Sequence, residues 1–421
     1  MSTYKKDTNH YLKNRFKSIE QQIKILSSLR KSISLPPSGD ITERQWSVIE
    51  AQLVLTETQL LSRLKKIGRK YLPHVNEIKP ARFLNYQMGK IELDLSRSFR
   101  IFDTFLDILS QRHLPEIGLI LTGCDVLALD AIRKNHSALS IVEPPVVYFD
   151  RGFGAAILRE GVLLQDNIKN PLPTIQIPYS KLKVKHGTVS IIHEAGHVIM
   201  VRLGLVSSLP KAIKSALGRV GAPDFIKELF ALWMGEIGPD FWSFCNCGIA
   251  QTSSTMEILS LPKQHVFRVP PGDPHPPPYL RVLLSIKWCH QLWGRGNWDK
   301  LERKWLELYP LENASKNERK ILETGKKYLN TVTRTLFNTK FHVLNWKTIP
   351  SLFDLNAISP SNLERIIRSA TSSGTLNLTE LSPCAQLAVF RLIKDKGSIS
   401  EQTLDRIMTM WLVKLGKTRK E

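Results

Sequence analysis

The sequence predicts an α+β fold that is predominantly helical, with a small sheet held between helical N- and C-terminal regions. Two observations carry this. Apolar residues recur at helical spacing over most of the chain. Between Pro144 and Pro178 the pattern changes to short β-rich runs punctuated by Pro. Composition sets the frame: 421 residues suffice for two domains or one large domain with additions, and 42% hydrophobic against 23% charged residues is a globular balance.

From the N-terminus, Tyr11 to Leu35 places Leu12, Phe16, Ile19, Ile23, Leu26 and Leu29 near helical spacing and stops at Pro36-Pro37. A second helix opens at Asp40-Ile-Thr-Glu43 with Asp40 as N-cap and runs through Leu53, Leu60 and Leu64 to Pro73. Joined by a short Pro/Gly turn, the two form an antiparallel hairpin, a basic helical arm over residues 1–75. Residues 84–140 continue as helix. Pro144 to Asp150, Ile157-Leu158 and Pro173 to Pro178 read as strands. Pro at both ends of the last suits an edge strand. Ile175 to Ile177 is therefore either an edge that can receive an extended chain or an ordinary short structural strand. Thr188 to Met200 is an apolar helix with a stop at Gly204, and Pro223 to Trp242 is another. A Pro-rich loop, Val269 to Pro278, leads into a helix from Tyr279 to Trp293. From Asp299 onward the pattern is helical, with breaks near Pro310, Pro350, Pro360 and Ser372 to Gly374, and Lys414 to Glu421 is expected as a frayed basic tail. The expected divisions are the arm at 1–75, a core at 76–298 and a C-terminal helical region at 299–421.

No uninterrupted apolar run reaches membrane-spanning length; the most apolar stretch, Phe225 to Ala250, contains Lys227, Glu228, Glu236 and Asp240. The first residues are polar and charged, without the apolar region of a secretory signal. Five Cys without a regular framework suggest a reducing, cytoplasmic setting, and Cys245-Asn-Cys247 has one spacer residue rather than the two of a zinc knuckle. The net charge of +21 favours acidic partners: nucleic acid, anionic lipid headgroups or acidic proteins. Residues 1–100 hold 19 Lys+Arg against 9 Asp+Glu, which supplies 10 of those 21 charges. No helix-turn-helix signature, RNP-like strand or zinc-finger spacing accompanies the charge.

The most specific signal is His193-Glu194-Ala195-Gly196-His197, the pattern H-E-x-x-H. On a helix, positions i and i+4 share one face, so both imidazoles reach a single Zn²⁺. Glu194 then projects beside the metal, placed to take a proton from water as general base rather than to ligate.

Two His leave a catalytic zinc one protein ligand short, and Glu236 in Leu232-Trp-Met-Gly-Glu-Ile-Gly-Pro-Asp240 is the best candidate for the third. Here the chain resembles the Glu-zincin metallopeptidases, whose second helix presents Glu-x-x-x-Asp. The resemblance covers roughly residues 170–290. It implies a zincin-like core, Glu236 as third ligand, Asp240 hydrogen-bonded to a ligand His, and cleavage of peptide bonds. Pro239 interrupts the match, so the helix is expected to kink there or to end near Ile237. His275 and Arg281 flank the Pro loop, and either, or Tyr279, is a candidate donor to the oxyanion of a tetrahedral intermediate. His-Glu-Ala-Gly-His is also similar to the motif of the ATP-dependent membrane proteases, where Asp273 would be the analogous third ligand. That architecture's phosphate loop is absent. The reading is a zinc-dependent metallohydrolase acting on a peptide or protein. The alternative is a zinc-stabilised protein that binds nucleic acid or a partner, its metal closed off by a fourth side chain such as His275 or a Cys.

Overall fold

The computed structural model describes residues 2–140, 142, 144–152, 154–158, 163–164, 168–373 and 378–419. Among the described residues helix accounts for 75% and strand for 4%, so the sheet serves only as a local scaffold.

Helices α1 (Ser2–Ile25), α2 (Glu43–Tyr71) and α3 (Ile78–Ser110) pack together as a three-helix bundle. Their inward stripes, including Ile19, Ile23, Ile49, Leu53, Leu84 and Met88, form one apolar cluster. The expected arm therefore continues past residue 75, because α3 supplies the third wall of its core. The cap of α2 also differs from expectation. Thr42 and Gln45 close a reciprocal capping box, while Asp40 Oδ1 accepts the indole N–H of Trp46 at 2.8 Å. Helix α4 (Pro115–Ile132) follows and opens the second apolar cluster, which runs on to Leu415.

The sheet comprises β1 (Val146–Asp150), β2 (Ala156–Leu158) and β3 (Thr174–Pro178) in the order β1-β3-β2. β3 pairs parallel with β1, Val147 opposite Ile175, and antiparallel with β2, Ile157 opposite Ile175. The candidate edge at Ile175 to Ile177 is thus the central strand, with both sides already paired. Its prolines sit at the strand end and just before it, where no ladder hydrogen bond is lost, and so do not mark an edge. The buried Arg112 joins the sheet to the helices: it donates to both Asp125 carboxylate oxygens at 2.9 Å and to the Val147 carbonyl at 2.8 Å.

The remaining long helices are α5 (Val189–Arg202), α6 (Leu205–Arg219), α7 (Asp224–Cys247), α8 (Ile249–Leu259), α9 (Pro278–Trp293), α10 (Trp298–Leu308), α11 (Lys316–Asn338), α12 (Pro360–Ser373), α13 (Pro383–Lys396) and α14 (Glu401–Lys417). The break expected at Ser372 to Gly374 falls at the end of α12, with Gly374 outside the described residues. The division expected at 298/299 does not separate two cores, because buried residues of α11, α13 and α14 belong to the same cluster as those of α5 and α7. Helix α14 lies so close to α4 that a Cβ on Gly123 would overlap the Leu412 carbonyl, and one on Gly416 the Leu119 carbonyl. The expected basic tail is docked rather than frayed: Arg419 reaches Asp125 at 3.4 Å, while Lys420 and Glu421 lie outside the described residues. Among the described residues no single helix is long and apolar enough to cross a membrane.

Candidate metal centre

The H-E-x-x-H segment lies in the middle of α5, which Gly204 ends as expected by entering the left-handed region at φ 61°. One helical turn separates the imidazoles of His193 and His197. Their ring centroids are 4.9 Å apart and their planes nearly perpendicular at 87°. Glu194 points into the same cleft and is 7% exposed.

Helix α7 brings the carboxylates. It runs on through Pro239 to Cys247, so it does not end near Ile237. Gly196 lets the helices touch at the proline itself: a Cβ there would sit 2.9 Å from Pro239 Cα. The glycine within His-Glu-Ala-Gly-His thus sets how near α7 comes to the two imidazoles.

At that approach Glu236 Oε2 lies 3.4 Å from His193 Nε2, and Oε1 lies 3.5 Å from His197 Nε2. The three donor atoms all fall within 4.8 Å of one another. Ligands held about 2.1 Å from a tetrahedral zinc are about 3.4 Å apart, so two imidazoles and one carboxylate at these separations suit that ion in both chemistry and spacing. Asp240, one turn beyond Glu236, accepts from His193 Nδ1 at 2.8 Å. This carboxylate leaves Nε2 as the ligating nitrogen and fixes the ring's orientation.

Asp240 is itself clamped. Arg281 on α9 binds both its oxygens, with Nη2 at 2.9 Å from Oδ1 and Nε against Oδ2, and Gln251 Nε2 donates to Oδ1 at 3.1 Å. Arg281 lines the cleft and is the counter-ion of Asp240; its nearest approach to Glu236 is 3.6 Å. Tyr279 is a correction. It is buried against Phe267 at 5.8 Å between ring centroids and does not line the cleft. His275 does line it. Its Nδ1 is 2.7 Å from Asp273 Oδ1, and its exposed Nε2 is 3.8 Å from Glu236 Oε1. Asp273 is occupied with His275 and Arg268 and is not one of the clustered donors. Glu228, two turns before Glu236, is paired with Lys214.

The charges reinforce one another. Burial opposes charge on His193, but the charge and hydrogen bond of Asp240, with the bond to Glu236, raise its imidazole to about 10. Burial likewise opposes ionisation of Asp240, yet Arg281 and His193 hold it well below the usual carboxylate range. Glu236 is lowered against its burial by His193, Arg281 and His197. Glu194 moves the other way. Burial pushes its carboxyl up, with Glu236 adding to the rise. Two neighbouring carboxyls driven apart in this manner suit different tasks, a ligand and a proton acceptor.

The cluster opens into a cleft of about 600 Å³, within the range of small-molecule and peptide sites. Gly154, Ala156 and Ile157 of β2 and its approach line it, as do Ser254, Thr255 and Ile258 of α8. Comparison with protein families, curated proteins and solved structures finds no match. The site therefore rests on its own geometry.

Sequence reasoning brought together His193, Glu194, His197, Glu236 and Asp240, and placed His275 at the rim. It missed Gln251, the pairing of Arg281 with Asp240, and the β2 edge. Helix α8 had one visible signal, the small polar run Gln251-Thr-Ser-Ser-Thr255 after an apolar stretch; all five are buried.

Proposed function

We propose that the protein is a zinc-dependent metallopeptidase of zincin type. The observation that carries this reading is a three-donor set, His193, His197 and Glu236, beside a buried Glu194 in an open cleft. A zinc ion bound there would polarise the scissile carbonyl and the attacking water. Glu194 takes the water's proton and delivers it to the leaving amine, a role that its raised carboxyl favours. Asp240 keeps His193 in the ligating tautomer, and Arg281 keeps Asp240 ionised. His275 stands at the rim, steered by Asp273, where its imidazolium form would donate from Nε2 to the carbonyl oxygen as negative charge develops. Among the described residues β2 is an edge strand, and its outer side offers an extended peptide a strand to pair with.

The alternative, a metal closed off to stabilise a binding protein, requires a fourth donor. Among the described residues the cluster stops at three, and the five cysteines are buried away from the cleft. The test is metal analysis of purified protein, together with cleavage of a mixed peptide library by wild type and Glu194→Gln. One zinc per chain in both, with hydrolysis reduced about a thousandfold or more in the variant, is expected. A protein without stoichiometric metal, or a variant that cleaves like wild type, sinks the reading.

A further inference from the structure

Residues 61–100 carry ten Lys+Arg against three Asp+Glu, a net +7 of the chain's +21. All three acids are engaged: Glu77 with His74 at 3.4 Å, Asp94 with Arg63 at 2.7 Å, and Glu92 with Arg15. Lys65, Lys66 and Arg69 near the end of α2, and Lys79, Arg82 and Lys90 along α3, are exposed. None of these six meets a carboxylate among the described residues. Fold stability accounts for part of the set. Arg69 lies in the last turn of α2, where a cation offsets the negative end of the helix dipole. Lys79 and Arg82 have no such reason. They occupy the opening turns of α3, where the dipole repels cations, and no acid stands in its first turn.

Aromatic rings share this outer face. Leu84, Met88 and Ile91 of α3 point into the bundle, leaving Phe83 and Tyr86 exposed on the other side. Phe83 meets Tyr71 at 4.8 Å between ring centroids, which makes the ends of α2 and α3 one continuous surface. Lys70 Nζ lies 5.3 Å from the Tyr71 ring centroid, and Lys90 Nζ lies 4.8 Å from that of Tyr86. Cations beside exposed π-faces are the pair of groups a nucleotide needs, one for phosphate and one for the base. An anionic lipid surface fits less well, because the apolar side chains here are separated by cations and do not form a continuous inserting stripe.

We propose that the outer face of the α2–α3 hairpin binds single-stranded nucleic acid. Phosphates follow Lys79, Arg82 and Lys90, and bases stack on Phe83 and Tyr86. This surface belongs to a different apolar cluster from the metal centre, so the proposal stands apart from the peptidase reading.

The test is fluorescence anisotropy of the full-length protein with labelled oligo(dT), oligo(U) and a duplex of equal length, over a salt series. Single strands should bind more tightly than duplex, with affinity falling as salt rises. The triple variant Lys79→Glu, Arg82→Glu, Lys90→Glu should weaken binding at least about tenfold and flatten the salt dependence. Phe83→Ala with Tyr86→Ala should weaken it at least about fivefold at an unchanged salt slope. Circular dichroism of both variants should match wild type, since every substituted side chain is exposed. Three results overturn the proposal: no binding at low salt, binding indifferent to both variants, or loss of phosphatidylserine-vesicle binding in the charge variant with oligonucleotide affinity intact.

Discussion

Asp240 is withdrawn from water yet stays ionised, because Arg281, His193 and Gln251 together replace its hydration. Removing one of those partners leaves a buried charge exposed to its full desolvation cost. Arg281→Met should therefore destabilise the fold by about 3–5 kcal/mol, read from the urea midpoint at constant m-value. A second consequence concerns pH. The imidazole of His193, raised to about 10, is protonated at neutral pH in the metal-free protein. Its pKa lies above the unfolded value, so the associated stability is present below about 6.5 and fades as pH rises through about 10. Zinc must displace that proton. Affinity should climb up to about tenfold per pH unit between pH 6.5 and 8, with a proton released on binding, measured by competition titration in weak buffer. An affinity flat across that window would contradict the assignment of His193.

At the scale of elements, the site is a crossing of α5 and α7, and Gly196 against Pro239 is the point of contact. Gly196→Ala drives a methyl into the proline backbone, which neither helix can accommodate without sliding. We expect a loss of about 1–3 kcal/mol from overpacking, seen as a lowered Tm, together with weaker zinc binding as Glu236 is carried away from the imidazoles. The sequence made α5 legible because its spacing is local, and Glu236 and Asp240 because they lie one turn apart. Pro239 misled as to where α7 ends, since a proline's effect on a helix depends on what packs against it, and Gly196 is forty-three positions earlier. The strand order misled for a related reason. Proline flanks fit both an edge and the ends of a central strand, and only pairing across the chain separates the two. Arg281 was visible as a cation near the cleft, but nothing local tied it to Asp240.

At the scale of the molecule, two apolar clusters meet at the sheet, and the larger runs from α4 to α14. Glycines at 123 and 416 make the α4–α14 contact one of backbone against backbone. A chain ending at residue 400 would strip α4 of the helix that packs on Leu119 and Gly123, and with it the buried Leu404, Met408 and Leu412. We expect such a chain to aggregate or to bind hydrophobic dye without a cooperative melt. A soluble, cooperatively melting fragment would show that the C-terminal helices are separable.

The turn that leads into α5 carries Lys185, buried at 3% exposure, whose Nζ is 3.1 Å from both carboxylate oxygens of Asp405 on α14. During synthesis on the ribosome this ammonium stays without that partner until the chain has grown 220 positions further. The turn ahead of the two imidazoles gains this anchor only when α14 arrives. On nascent and prematurely terminated chains the hydrolytic site we propose would lack it, and its entry turn would be held in place only once the fold closes.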